Sequence, residues 1–347
     1  MAYSDLAWRV AAGDGAGPAS LDRCDGRDPG AGACIRRRAE FRAVLGLRSL
    51  NRPIEQLLAT LASVFDAAPD LPAVLGAVRR AVECRMATTP LDVVKARAEQ
   101  VAPPRNPMPV LAGGEVCVIA QVSPDESARG GTERVIQLVS LASEFEAGGA
   151  HCLSVWTDAQ VHGASCEDLS AVRSGVDTPI LARDFILCSY QLWEARAAGA
   201  DMVLITAAFL EAQALVSLVE RTTSLGMVPV VQVLNEVDVA NAAHCGATLF
   251  AIHAERSRGR VRTETTGSPG EHEGRRRFSE LAPLLPSDCL RIADVGVRDP
   301  HELIEFGQAG ADAVVIGATL TSTKRPKAAV HDLVTAGSHP AVRHARH

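Results

Sequence analysis

Lysine is scarce in this sequence. Of 35 basic residues only Lys95, Lys324 and Lys327 are lysine, so few side chains can act as cationic proton donors. Aromatic residues are also rare, at 4% of the chain. The core must therefore be filled by Ala, Val, Leu and Ile, as expected for buried parallel strands covered by helices.

Several classes of protein are disfavoured by what the chain lacks. No apolar run reaches 18 residues, and the N-terminal segment has neither a basic stretch nor an apolar stretch of the kind found in signal peptides. No basic stripe with interleaved aromatics is present, and the net charge is −6. We therefore expect a soluble, cytoplasmic protein that binds neither membrane nor nucleic acid.

The nine cysteines form no CxxC pair and show no zinc-site spacing. Most fall on predicted strands or helices, so we interpret them as reduced packing residues. The sequence predicts no metal site from them.

The first 110 residues divide into two parts. Residues 1–50 are rich in Gly, Ala, Asp and Arg without apolar periodicity, which predicts a disordered tail. Residues 51–110 contain helical patterns at about 54–65, 71–86 and 91–101, which we interpret as leader helices.

From residue 111 to 340 short apolar strands alternate with helical segments. The strands are predicted at 116–121, 151–156, 179–184, 201–205, 228–233, 248–252, 289–294 and 312–316. Eight such units predict a closed (β/α)8 TIM barrel, the alternative being an open doubly wound sheet. Several helices are predicted to end at a glycine: Gly148, Gly199, Gly226, Gly246 and Gly310.

The sequence from about Leu71 to His339 resembles that of the indole-3-glycerol-phosphate synthase family of tryptophan biosynthesis. The resemblance is carried, in order, by VIAQV (118–122), EARAAGADMVLI (194–205), RTTSLGMVPVVQV (221–233), RIADVGVR (291–298), AGADAVVIG (309–317) and DLVTAGSHP (332–340), together with Asp184, Phe185, Tyr190 and Gln191. It implies a carboxy-lyase that closes an indole ring without a cofactor. The family substrate is 1-(o-carboxyphenylamino)-1-deoxyribulose 5-phosphate, which loses carbon dioxide and water.

This chain departs from the family pattern at the strand ends. The family's I-A-E-V-K reads I-A-Q-V-S at 119–123, so Gln121 and Ser123 replace a carboxylate and a lysine. Arg183 stands in place of the third strand's lysine, and Gln232 in place of the fifth strand's glutamate. His253 replaces the sixth strand's usual asparagine, and Asp294 the seventh strand's glutamate.

These replacements change what the site can do. Glutamine cannot exchange a proton at neutral pH, and arginine stays charged because its pKa is above about 12. A general acid or base contributes roughly 100- to 10,000-fold, so the family's ring closure is not expected here. We take Arg183, His253 and Asp294 as candidate catalytic residues, and Gln121 and Gln232 as candidate substrate-binding residues.

The phosphate cradle is better preserved. Gly296 follows the seventh strand, and Gly317 with Ala318 follows the eighth. Backbone N–H groups at these places hold phosphate in many barrels of this class, so the predicted ligand is a small phosphorylated molecule.

For each candidate a plainer interpretation stays open. Arg183 could pair with Asp184 or Glu167 as a solvated rim residue, and His253 could be a hydrogen-bonded histidine with no role. His162 and Cys188 are interpreted as surface filler, and a metal triad of His253, Asp294 and Asp158 is an alternative without spacing support. The loop at 257–277 is either a solvated excursion or a lid.

Two functions remain possible on the sequence alone. One is a lyase-type enzyme with a new phosphorylated anthranilate-like or sugar-phosphate substrate. The other is a pseudoenzyme that binds a phosphorylated ligand or a protein partner. No oligomeric state is predicted.

Overall fold

A computed structural model of the chain describes residues 71–124, 131–253, 269–295, 297–321 and 323–342. The predicted tail at 1–50 and the predicted helix at 54–65 lie outside the described residues. So does Gly296, and so does most of the predicted loop at 257–277. The last part of that loop, from residue 269, is helical.

Eight parallel strands close into a barrel in sequential order, with the first strand paired to the eighth. The strands are β1 Cys117–Val122, β2 Cys152–Trp156, β3 Ile180–Arg183, β4 Met202–Thr206, β5 Val228–Val233, β6 Leu249–His253, β7 Leu290–Asp294 and β8 Ala313–Ile316. Every predicted strand is found within one residue of its expected ends. The barrel is thereby confirmed and the open sheet is excluded.

The strands bury both of their faces, which is why they read as continuous apolar runs. One face packs in the barrel interior through Cys117, Ile119, Cys152, Leu181, Met202, Leu204, Val230, Leu249, Ala251, Leu290, Ile292, Ala313 and Val315. The alternate residues pack outward against the helices. Because side chains alternate along a strand, this parity also decides which residues point inward at each strand end.

The helices are α1 Leu71–Thr88, α2 Leu91–Gln100, α3 Met108–Leu111, α4 Gly131–Ala147, α5 Cys166–Gly175, α6 Ser189–Ala198, α7 Ala212–Ser224, α8 Glu236–Ala242, α9 Pro269–Leu281, α10 Pro300–Gln308, α11 Ala318–Thr321 and α12 Pro326–Gly337. Local signals start several of them: Ser165 and Asp168 form a capping box at α5, and Asp299 caps α10 ahead of Pro300. Helix α4 ends directly before Gly148, as predicted, although the residue with a positive φ is the adjacent Gly149, at 93°. The other four predicted glycines take a positive φ themselves.

The leader helices α1 and α2 dock on α6. Arg85 of α1 makes a two-pronged ion pair with Glu194, at 2.7 and 3.0 Å. The Tyr190 hydroxyl donates to the carbonyl of Thr89 at 2.9 Å, and Arg196 donates to the carbonyls of residues 101 and 102. These contacts tie residues 85–102 to the barrel wall.

Two contacts fasten the start of β1. The Val116 amide donates to the Gly337 carbonyl, and α12 lies so close that a Cβ on Gly337 would be 2.1 Å from the Val116 carbonyl oxygen. The His151 Nδ1 accepts the Val118 amide at 3.0 Å, which requires a neutral imidazole. Burial lowers the pKa of His151 accordingly.

The seven cysteines among the described residues are all free thiols. Cys117, Cys152, Cys245 and Cys289 are buried, which agrees with a packing role, whereas Cys84 is exposed. Burial raises the pKa of Cys117 to about 12, so this thiol stays protonated and unreactive. None of the helices described is long and apolar enough to cross a membrane.

Candidate active site

The carboxyl ends of the strands form a polar mouth over the apolar barrel interior. The inward positions at these ends are Gln121, Trp156, Arg183, Thr206, Gln232, His253 and Asp294, and Gly317 follows β8. Each has the same parity as the interior residues of its own strand. The fold therefore brings all the sequence-predicted side chains at strand ends to one rim.

Asp294 is the centre of this rim. Arg183 Nη1 and Nη2 donate to Asp294 Oδ1 and Oδ2 at 3.1 and 2.7 Å, in the fork geometry that arginine favours. Gln232 Nε2 donates to Oδ2 at 2.9 Å, and His253 Nδ1 lies 3.1 Å from the same oxygen. Thr206 donates to Gln232 Oε1 at 2.8 Å, which fixes the orientation of the amide. We call these five residues the Asp294 cluster.

The charge of Asp294 is permanent. Burial alone would raise its pKa, but the Arg183 charge and the His253 hydrogen bond outweigh burial and hold the pKa far below the usual range. Both Arg183 and Asp294 are buried, at 4% and 7% exposure. Asp294 therefore orients its neighbours and does not exchange protons itself.

The interpretation of Arg183 as a solvated rim residue is wrong. The side chain is buried and its ion pair is with Asp294, not with Asp184 or Glu167. The reason is strand parity, since Arg183 points into the barrel and the adjacent Asp184 points away from it.

The tautomer of His253 follows from its partner. An ionised carboxylate only accepts hydrogen bonds, so the Nδ1 that faces Asp294 must carry the proton. The neutral imidazole then has its basic lone pair on Nε2. The His253 side chain is 15% exposed.

A stacked group that the sequence did not predict adjoins the cluster. The Arg183 guanidinium carbon lies 4.6 Å from the centre of the Trp156 ring, a cation–π distance. The His162 ring stacks on Trp156 at 3.6 Å between centroids, with 11° between the planes. His162 Nδ1 lies 3.1 Å from Asp158 Oδ2. These two contacts fix His162 at the barrel mouth, so the interpretation of His162 as surface filler is wrong. The signal available in the sequence was its spacing four residues after Asp158.

The loop that follows β3 contains a partly buried carboxyl group, that of Asp184. Burial, together with the nearby Asp158 charge, raises the pKa of Asp184 to about 6. Asp184 Oδ1 accepts the Phe185 amide at 2.7 Å. Cys188 is partly buried ahead of α6, and burial raises the pKa of its thiol, so it is not a ready nucleophile.

The candidate phosphate side of the mouth is described in part. Gly317 precedes the short helix α11, which begins at Ala318, and its carbonyl accepts the Leu320 amide at 2.9 Å. A Cβ on Gly317 would be 3.3 Å from the Gln121 amide group, so the glycine permits this close approach. Gln121 Nε2 in turn donates to Ser123 at 3.1 Å.

The described ranges contain no group of three or more His, Cys, Asp or Glu side chains placed to hold a metal ion. The alternative triad of His253, Asp294 and Asp158 is therefore not assembled. Asp294 is instead saturated by Arg183, Gln232 and His253.

A closed parallel barrel with a polar cluster at the carboxyl ends of its strands has the architecture of a (β/α)8-barrel enzyme. The family model described as indole-3-glycerol phosphate synthase matches residues 71–333. The chain belongs to this family.

Individual relatives agree with the assignment. The chain is 40% identical to the indole-3-glycerol phosphate synthase of Streptomyces griseus over 276 residues, which is 80% of this chain and 98% of the relative. Indole-3-glycerol phosphate synthase 1 of Streptomyces coelicolor matches to the same extent. The synthase of Kineococcus radiotolerans is 41% identical over 79% of this chain and 97% of its own.

Proposed function

We propose that this protein is a lyase-type enzyme of the indole-3-glycerol-phosphate synthase family that transfers protons through His253 instead of a lysine. The proposed substrate is a phosphorylated anthranilate-like or sugar-phosphate molecule. The single observation that carries the proposal is the 3.1 Å contact of His253 Nδ1 with an Asp294 carboxylate held by two other side chains.

The Asp294 cluster has the parts of an oriented acid–base group. A permanent carboxylate fixes the imidazole ring and stabilises its protonated form, the role that aspartate has beside a catalytic histidine. Histidine ionises near neutral pH, so it can take over proton transfers that arginine cannot perform. Nε2 of His253 is buried in this structure, and ligand contacts with such a group commonly form only in the complex.

In this proposal Arg183 does not bind an anionic group of the ligand. Both of its terminal nitrogens donate to Asp294, so the Asp294 carboxylate neutralises the guanidinium charge. Phosphate recognition is assigned to the backbone around Gly317 and Ala318, with Gln121 beside it, because a glycine allows the close approach that N–H donors need.

A second candidate is a pseudoenzyme that binds a phosphorylated ligand without chemistry. The observation that favours it is the same ion pair of Arg183 with Asp294, which neutralises the positive charge that would otherwise attract a substrate carboxylate. Neither candidate predicts the family's ring closure at the family's rate, since Gln121 and Gln232 cannot exchange protons.

Deuterium exchange separates the two candidates. The family substrate is a ketose phosphate, so a base in the mouth should exchange the hydrogens on the carbons next to its keto group in D2O, as followed by proton NMR. We expect exchange by the unaltered protein and a loss of about 100-fold or more in His253→Asn. Asparagine is the residue that the family usually carries at this position, so the variant should fold.

The matched control is His244→Asn, an exposed histidine in the segment between α8 and β6 at the opposite end of the barrel. This control should exchange at the unaltered rate. Calorimetry on the same samples measures binding separately. Binding without exchange would establish the pseudoenzyme, and absence of both would reject a family-type ligand in this mouth.

A further inference from the structure

We propose that His162 is a second proton-transferring residue, oriented by Asp158 and directed at the ligand from the side of the mouth opposite His253. It deepens the function proposed above and rests on it. The two histidines would serve as the acid and the base of one reaction.

Topology places the two histidines across the mouth from each other. His253 ends β6, and His162 lies on the loop that follows β2. In a barrel of eight strands in sequential order, β2 and β6 are four strands apart and therefore face each other. A ligand seated between them would have one imidazole on each side.

The loop after β2 is built to hold the His162 ring. Asp158 is 2% exposed and accepts the backbone amides of Gln160, Val161 and His162 at 2.9, 2.9 and 3.1 Å. The same carboxylate holds His162 Nδ1 at 3.1 Å. One buried group thus fixes both the turn and the ring, and the ring is still 28% exposed.

Stacking fixes the plane of the ring as well. Trp156 is the inward residue at the end of β2, and its ring contacts both His162 and the Arg183 guanidinium. His162 therefore lies one ring away from the Asp294 cluster. The ring of His162 is therefore fixed both by its contact with Asp158 and by stacking on Trp156.

The protonation pattern matches that of His253. Burial raises the pKa of Asp158, but its hydrogen bonds from His162 and three amides outweigh burial and lower it below the usual value. The carboxylate therefore stays ionised and accepts the hydrogen of Nδ1, so the lone pair of the neutral His162 ring is on Nε2. The other charged groups on this side are Asp184 and Arg183 at the end of β3 and Arg85 on α1, whose charge lowers the pKa of Asp184.

The proposed step is balanced. His253 Nε2 removes a proton from the carbon next to the keto group, and the electron pair of that C–H bond forms the C=C bond of an enediol. The keto oxygen takes a proton from Nε2 of the His162 imidazolium, which becomes neutral. Reversal with solvent deuterium on His253 returns a deuterated ketose and restores both residues.

The test uses the full-length protein, the family substrate as probe and the exchange assay above, measured from pH 5 to 9. The variant is His162→Phe, which keeps a ring against Trp156 and removes the ionisable group; His244→Asn is the control. We expect the unaltered protein to show a bell-shaped profile, and His162→Phe to lose about 100-fold in rate together with the alkaline fall, because no acid is left to deprotonate.

Each outcome decides between the proposals. Exchange by the unaltered protein with an unchanged rate and profile in His162→Phe overturns the role of His162 and leaves that of His253. A slower His162→Phe that keeps the bell shape assigns His162 to packing alone and also overturns it. No exchange by the unaltered protein rejects the function proposed above as well.

Nitrogen-15 NMR gives a readout that does not depend on turnover. The His162 signals, assigned by their absence in His162→Phe, should show a protonated Nδ1 and should shift when the family substrate saturates the protein. Signals that stay unchanged at saturation would place His162 outside the ligand site.

Discussion

Removing the charge of Asp294 should destabilise the barrel strongly. In Asp294→Asn the buried Arg183 loses its counterion, and the new amide hydrogens face the donors of Gln232 and His253. Breaking a buried ion pair from one side typically costs about 3–5 kcal/mol. For a barrel of this size, each kcal/mol lowers the melting temperature by roughly 2 °C, so a drop of about 6–10 °C is expected.

The assay is thermal and urea unfolding with two comparison proteins. Asp92→Asn breaks an exposed ion pair with Lys95 at 3.7 Å and should change the free energy of unfolding by less than about 0.5 kcal/mol. Arg183→Met combined with Asp294→Leu removes both charges. This double variant should lose less unfolding free energy than the sum of the losses in Arg183→Met and Asp294→Leu measured singly, with a coupling energy of about 1–3 kcal/mol.

Additivity would refute this reasoning. If the two single variants sum to the double variant, Arg183 and Asp294 do not stabilise each other in solution. A loss below about 1 kcal/mol in Asp294→Asn would likewise mean that Arg183 finds solvent or another acceptor. The Asp294 cluster would then not hold His253 as proposed.

Three further predictions concern other parts of the barrel. Gly337→Ala should lose about 1–3 kcal/mol of unfolding free energy in urea, because its Cβ would be 2.1 Å from a backbone carbonyl oxygen. The control Gly76→Ala, in the open part of α1, should gain about 0.5–1 kcal/mol, and equal effects of the two variants would contradict the close packing at Gly337. Because the pKa of His151 is lower in the folded than in the unfolded chain, the stabilisation by neutral His151 is complete above about pH 6.5 and falls as the pH drops below that value. His151→Gln should remove this part of the pH dependence of the melting temperature, and an unchanged dependence would contradict the prediction. A phosphorylated ligand at a hundredfold excess over its Kd should stabilise the protein by roughly 2.7 kcal/mol and raise its melting temperature, and Gly317→Asp should abolish this rise; an undiminished rise would place the phosphate site elsewhere.

The architecture could be predicted from the sequence because its causes are local. Runs such as 228–231 are apolar at every position, which a strand needs when it is buried on both faces. Their regular alternation with helical segments leaves few ways to form a parallel sheet. The inward parity of Arg183, Gln232, His253 and Asp294 follows from the same alternation once the strand ends are known. The identity of the replaced side chains was likewise sufficient to exclude proton transfer by Gln121 and Gln232.

The partners within the site depended on the tertiary structure. Arg183 and Asp294 are 111 residues apart, and they meet only because the barrel closes and brings β3 and β7 to the same mouth. Strand parity separates Arg183 from the adjacent Asp184 once the strand end is known, but no local pattern identifies Asp294 as its partner. The stack of His162 on Trp156 depends in the same way on how the loop folds back around Asp158. The local sequence pattern determines where the strands lie and which of their side chains point inward. Which side chains contact each other across the barrel mouth depends on the strands that the closed sheet brings together.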